Sequence, residues 1–289
     1  MGEVQDKQKI AEICGAIMGD GWIQSNGQSF FIAGNPIEDK DYYDSYLKEL
    51  VNKILNVNVV PRNFSYWGVY GISVHKKEKI KKLLSFGLIK GRKVKSARVP
   101  EWIYLSKSKK IISAFLRGLF DTDGGISFQK DYTQYSTDFN SHYHTKPRVR
   151  IGCISERLIK ESLELCNRLG LKAILRYRKG GVHNNRNCND VYILEINRLD
   201  SINFWFKELL PSNQKHKTKY LIWKKFGFCP PNTTLSQRKD ILKNSLNPYN
   251  LYEGVAKRSN ARDSKSRGSV PSGVRIFSPS SIAPVAQSG

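Results

Sequence analysis

The sequence predicts an α+β protein made of two pseudo-symmetric copies of one unit, each running helix, hairpin, helix, hairpin, helix. Three observations carry that prediction. Ile13–Gly21 reads I-C-G-A-I-M-G-D-G and Leu116–Gly124 reads L-R-G-L-F-D-T-D-G, an internal repeat that fixes the architecture before any single element is weighed. Helix-period and strand-period apolar patterns then follow each segment in the same order. The length of 289 residues suffices for two domains of moderate size with a real core.

The first helix is predicted over Gln5–Met18, because Ile10, Ile13, Cys14 and Ile17 make one apolar stripe. Gly19-Asp20-Gly21 should end it in a left-handed cap. Trp22–Gln24 and Ser29–Ala33 form a hairpin around Ser25-Asn26-Gly27, and a second helix covers Asp41–Leu55. Strands at Val57–Val60 and Val69–Val74 lead to a helix near Glu78–Phe86. Pro100 and the Lys107–Lys110 run mark the connector. In the second copy the motif helix spans Ile111–Phe120, with strands at Ile126–Phe128 and Arg148–Gly152 flanking the polar stretch Gln129–Pro147. Glu156–Leu169 is helical, Ala173–Arg178 and Val191–Ile196 pair around Gly180–Asp190, and Ser201–Leu210 closes the unit. Domain limits are placed at 1–105, 106–228, 229–252 and 253–289.

A net charge of +23 points to a polyanionic partner, of which nucleic acid is the commonest. No apolar run reaches a membrane span, and no basic amphipathic helix argues for a membrane surface. Five scattered cysteines without CxxC spacing are expected as reduced thiols in a cytoplasmic or organellar-matrix protein, and a structural zinc site is disfavoured. His142 and His144 fall in a polar loop with no cysteine beside them.

The repeat also carries chemistry. Gly15 and Gly118 would let the two motif helices approach backbone to backbone, bringing Asp20 and Asp123 together at their ends. Two adjacent carboxylates repel unless a cation lies between them. Hard oxygen ligands favour Mg²⁺, with Mn²⁺ as a substitute. Paired acids with a divalent ion on a cationic protein suit phosphodiester hydrolysis.

These residues resemble the two LAGLIDADG motifs of a single-chain homing endonuclease, over roughly Gln5 to Phe226. The resemblance implies two αββαββα repeats whose antiparallel sheets form a saddle over double-stranded DNA, with the motif helices at a pseudo-two-fold axis. It implies a monomer that cuts both strands of a long, pseudo-palindromic or asymmetric site and leaves 3′ overhangs. Asp20 and Asp123 would bind the metal ions, with carbonyls of Gly19 and Thr122 completing the ligand shell. A lysine near each active site is implied by Lys93 or Lys95 and by Lys215 or Lys217. Asn35 and Ser155 stand at the strand ends where relatives carry auxiliary polar residues. The sixth motif position, often acidic in the family, is Met18 in one copy and Asp121 in the other, and its role is usually structural.

DNA contacts are expected from Arg62, Arg148, Arg150, Arg176 and Arg178 on or beside the strands, with Tyr132–Tyr143 and His183–Asn189 reaching the ends of the site. The rival expectations are an RNA maturase acting on its intron RNA and a nuclease-inactive DNA-binding protein on the same fold. From Glu253 onward Ser, Arg, Pro and Gly dominate, and disorder is expected. Arg262–Arg267 and Gly273–Ile276 can be back-translated into strings like the anticodon and TψC arms of a transfer RNA, compatible with a reading frame that runs through a tRNA gene.

Overall fold

A computed structural model describes residues 2–93, 96–130, 144–183 and 186–251. Lys95, Tyr132–Tyr143 and the 253–289 tail lie outside the described residues, as does the side chain of His144. Met1–Pro248 forms one compact unit, and the chain from Tyr249 onward is counted apart from it.

Helix α1 (Gly2–Asp20) leads directly into β1 (Gly21–Ile23), which pairs with β2 (Phe30–Gly34). A π-helical turn over Tyr42–Leu47 runs into α2 (Lys48–Leu55). Strands β3 (Arg62–Phe64) and β4 (Val69–Val74) and helix α3 (Lys77–Ser85) follow, and the short α4 (Glu101–Tyr104) lies in the connector. The second copy has α5 (Lys109–Asp123), β5 (Gly124–Lys130), β6 (His144–Cys153), α6 (Glu156–Arg168) and β7 (Ile174–Arg178). A small ribbon, β8 (Gly181–His183) with β9 (Arg186–Cys188), precedes β10 (Val191–Ile196) and α7 (Leu199–Phe204). Two further helices, α8 (Gln214–Phe226) and α9 (Leu235–Leu242), complete it.

The two sheets share one topology: β1-β2-β4-β3 and β5-β6-β10-β7, antiparallel throughout. In each, alternate residues face a common core. Phe30, Ile32, Ile72 and Val74 do so in the first sheet, and Val149, Ile151, Leu194 and Ile196 in the second. The opposite faces are left open, so the predicted α+β class and its two sheet–helix units are present.

Two expectations are corrected. Gly21, expected to end α1 in a left-handed cap, instead opens β1, and Gly124 in the second copy is likewise extended (φ −95°) and opens β5. Glycine is required there by crowding, since a Cβ on Gly21 would lie 2.6 Å from Ile17 Cα and one on Gly124 2.4 Å from a ring carbon of Phe120. Val57–Val60 is not a strand: Val60 is exposed, and pairing with β4 begins at Arg62, after Pro61. Helices α8 and α9 were not foreseen. Among the described residues the five cysteines are free thiols, and no helix is long and apolar enough to cross a membrane.

Candidate active site

The site grows out of the contact between α1 and α5, the most extensive between any two elements. A Cβ on Gly15 would lie 2.1 Å from the Phe115 carbonyl oxygen, and one on Gly118 would lie 2.0 Å from that of Glu12. The helices therefore meet backbone to backbone. The closeness persists to their ends, where a Cβ on Gly19 would lie 2.1 Å from Thr122 Oγ1 and 3.2 Å from Asp123 N. Asp20 and Asp123 are thereby delivered to one place by two different repeats.

Both carboxyls are pushed upward. Burial raises Asp20 to about 7, and the negative charges of Asp123 and Asp39 add to it. Burial also raises Asp123, against the pull of Lys93 and Lys215. Negative charge gathered in a half-buried place without full compensation is a donor set that suits a divalent cation. Asp20 and Asp123 would hold such an ion. Among the described residues no cluster of three or more His, Cys, Asp or Glu adds a further ligand set.

The lysines divide. Lys93 Nζ donates to the carbonyls of Ile17 (2.7 Å), Met18 (2.8 Å) and Gly19, so an ammonium caps the end of α1 where the backbone dipole is negative. Burial depresses it to about 8, with Asp123 and Asp20 opposing the fall. The Gly19 carbonyl, expected to face metal, thus faces Lys93. Thr122 bonds back through its hydroxyl to Gly118 and Leu119. Lys215 Nζ lies 2.8 Å from Asp39 Oδ1. Lys217 stands two residues further on α8, turned to nearly the opposite side of the helix from Lys215 by two steps of ~100°.

Asp39 was missed by sequence reasoning and ties the halves together. It is buried, accepts from Asn35 N (3.0 Å) and Asn213 Nδ2 (2.7 Å), and holds Lys215. Asn213 Nδ2 also donates to the Asp121 carbonyl (2.9 Å). The Asp121 carboxylate accepts from Ser212 N (2.7 Å) and Asn213 N (3.1 Å), fixing the start of α8 and with it Lys215. The sixth motif position is structural here: Asp121 seats α8, and Met18 is core. Gly34 is a second omission. A Cβ there would lie 2.9 Å from Asp39 Oδ2, 3.2 Å from Asp20 Oδ2 and 3.3 Å from the Tyr43 ring.

Two expected contact residues take other roles. Asn35 Oδ1 accepts from Ile37 N and Glu38 N, each 2.9 Å, closing a turn. Ser155 is buried, caps α6 by accepting from Leu158 N (3.3 Å), and donates to the Ala97 carbonyl (2.6 Å), which leaves its hydroxyl nothing to offer DNA. The arginines do lie on open faces. Arg148, Arg150 and Arg176 surround the buried Glu195, with nearest approaches of 3.6, 2.7 and 3.6 Å. Arg178 is exposed at the end of β7, and Arg62 is exposed on β3.

Residues 110–209 match the family model described as a LAGLIDADG-like domain. Among solved structures, I-DmoI in complex with DNA and calcium is similar at 18% identity, over 69% of this chain and 87% of its own, with a TM-score of 0.44. Mesophilic variants of the homing endonuclease I-DmoI match at 18% identity over 72% of this chain and 97% of theirs, TM-score 0.46. A mutant of the I-SmaMI protein matches at 11% identity over 90% of this chain and 98% of its own, TM-score 0.48.

Proposed function

We propose that this chain, which carries a LAGLIDADG-like domain in its second repeat, is a site-specific double-strand DNA endonuclease. The observation that carries the proposal is the delivery of Asp20 and Asp123, one from each repeat, to the shared end of two helices in backbone contact. A divalent ion held there would supply the Lewis acidity that makes water a nucleophile and steadies the departing oxygen. The chain's own groups do the rest. The open sheet faces hold the duplex, and the chain's excess positive charge draws it in. Lys93 and Lys215 place ammonium groups beside the two acids, where phosphate charge must be balanced. We further propose that the protein acts as a monomer, since the two repeats already supply both acids.

The test is cleavage of a plasmid carrying the intron-free insertion locus, or of a randomised duplex library, with Mg²⁺ present. Discrete double-strand cuts with 3′ overhangs are expected. Asp20→Asn and Asp123→Asn should each lower double-strand cutting by at least ~1000-fold while leaving DNA affinity within a few fold, because neither substitution removes a basic group. Full cutting by either variant removes the assignment. Binding without cutting by the unaltered protein in Mg²⁺ and Mn²⁺ alike favours a binding-only role.

A further inference from the structure

The two open sheet faces are chemically unlike. In the first sheet Trp22, Phe31 and Ser73 share one row, and Ala33, Gly71 and Arg62 the next, so their side chains point the same way. Phe64 joins that face from β3, and Trp67 from the turn that follows. Trp22 and Trp67 are 40% and 52% exposed. The rings touch: Trp22 stacks on Phe31 at 5.5 Å between centroids, and Phe31 meets Phe64 at 6.0 Å and Trp67 at 5.7 Å. Together with Ala33 and Asp20 they wall a hollow of about 350 Å³. The polar groups on this face bond in part to one another, and Arg62, at its edge, uses one of its five donors in doing so. Arg62 donates to Ser73 Oγ (3.3 Å) and lies over the Phe64 ring, Ser73 Oγ meets His75 Nε2 (3.1 Å), and His75 Nδ1 meets Ser29 Oγ (2.9 Å).

The second sheet presents the three arginines splinted by Glu195. A guanidinium has five N–H donors, far more than one carboxylate's share for three side chains, so donors remain for a partner.

We propose that the first repeat reads its half of the DNA target through thymine methyl groups and the second through guanine edges, the aromatic face being the methyl-reading surface. The proposal rests on the endonuclease reading above. The occupant is the major-groove edge of duplex DNA. The chain's charge of +23 supplies the attraction, and the hollow is continuous with Asp20, so the face begins at the cutting centre. The rings, Trp22 stacked on Phe31 and Phe64 and Trp67 set edge-on to it, present a mostly apolar surface whose ring donors are the two indole N–H groups of Trp22 and Trp67. The thymine C5-methyl is the apolar group a major groove displays, whereas arginine pairs bidentately with guanine O6 and N7.

Selection of bound duplexes from a randomised library without divalent metal tests this apart from cleavage. Thymine should be enriched on one side of the site centre and guanine on the other. Replacing those thymines by deoxyuridine removes only methyl groups, and affinity should fall roughly fourfold for each methyl buried. Trp67→Ser, at an exposed turn, should abolish the deoxyuridine effect and relax the thymine side alone. Arg150→Gln should relax the guanine side alone and keep the deoxyuridine effect. Indifference of the unaltered protein to deoxyuridine overturns the proposal, as does a preference for single-stranded DNA or RNA, which would make the rings a stacking platform for unpaired bases. Cleavage of the selected site is scored separately in Mg²⁺. Cutting without a deoxyuridine effect removes this inference alone, and a deoxyuridine effect without cutting removes the nuclease reading alone.

Discussion

Lys215 and Lys93 carry the same charge in different settings, and the difference is made by single residues. Lys215 is aimed by Asp39, a carboxylate from the other repeat. Asp39→Asn should therefore leave DNA affinity nearly unchanged and slow cutting roughly a hundredfold, the usual cost of misplacing a group by about 1 Å. Measured single-turnover rates equal to those of the unaltered protein would remove that role. His216 makes a separate prediction. It is buried against Phe120, and burial, followed by the charges of Lys215 and Lys219, holds its imidazole well below the ordinary value of 6.5. The folded state takes up fewer protons than the unfolded one as pH drops past 6.5, so stability present above that pH is lost below it. His216→Phe should flatten this loss between pH 7 and 5 in denaturant titrations; parallel curves for the two proteins would refute it. Asp20 and Asp123 were legible because they repeat. Asp39 was not, because the group that gives it meaning, Asn213, lies 174 residues away and no local pattern records such a contact.

At the scale of elements, the crossing of α1 and α5 depends on two missing side chains. Gly15→Ala would drive a methyl into the Phe115 carbonyl, and the helices must separate to admit it. A loss of about 1–3 kcal/mol in unfolding free energy is expected, the range for an overpacked core, together with lost cutting as the two acids part. An unchanged denaturant midpoint would contradict the packing. Both motif helices and most strands were readable from apolar period, since one face of each meets the core. Helix α8 was hidden because it is mostly lysine and aromatic and buries only His216, Thr218 and Ile222. What starts it is the Asn213 side chain accepting from Lys215 N (3.0 Å) and the Asp121 carboxylate, and the latter is a tertiary contact. The Val57–Val60 run misled for the opposite reason: β-branched residues favour a strand only where a partner strand is in reach.

Across the whole molecule, α9 returns the end of the second repeat to the first. Thr234 and Gln237 form a capping box at its start. Leu235 N donates to Glu38 Oε1 (2.9 Å), Arg238 pairs with Glu38, and Lys239 pairs with Asp41. Arg238 is itself buried and also donates to Thr218 Oγ1 (3.0 Å) on α8, so this strap is part of the body. Ending the chain at residue 233 should lower the melting temperature by several degrees and expose Glu38 without a partner, whereas ending it at residue 252 should leave melting and cutting unchanged. Equal melting of the two truncated forms would show the strap to be dispensable.

The link between Asp39 and Lys215 has a historical side. A chain that arose by doubling one unit begins with interchangeable halves, each able to pair with a free sister. When an acid of one half takes charge of a lysine in the other, that freedom ends. A recombinant that inherits a foreign first half inherits no guarantee of a carboxylate where its lysine waits. The twin I-C-G-A-I-M-G-D-G and L-R-G-L-F-D-T-D-G segments make the halves alike, and the 2.8 Å pair of Asp39 with Lys215 makes them no longer interchangeable.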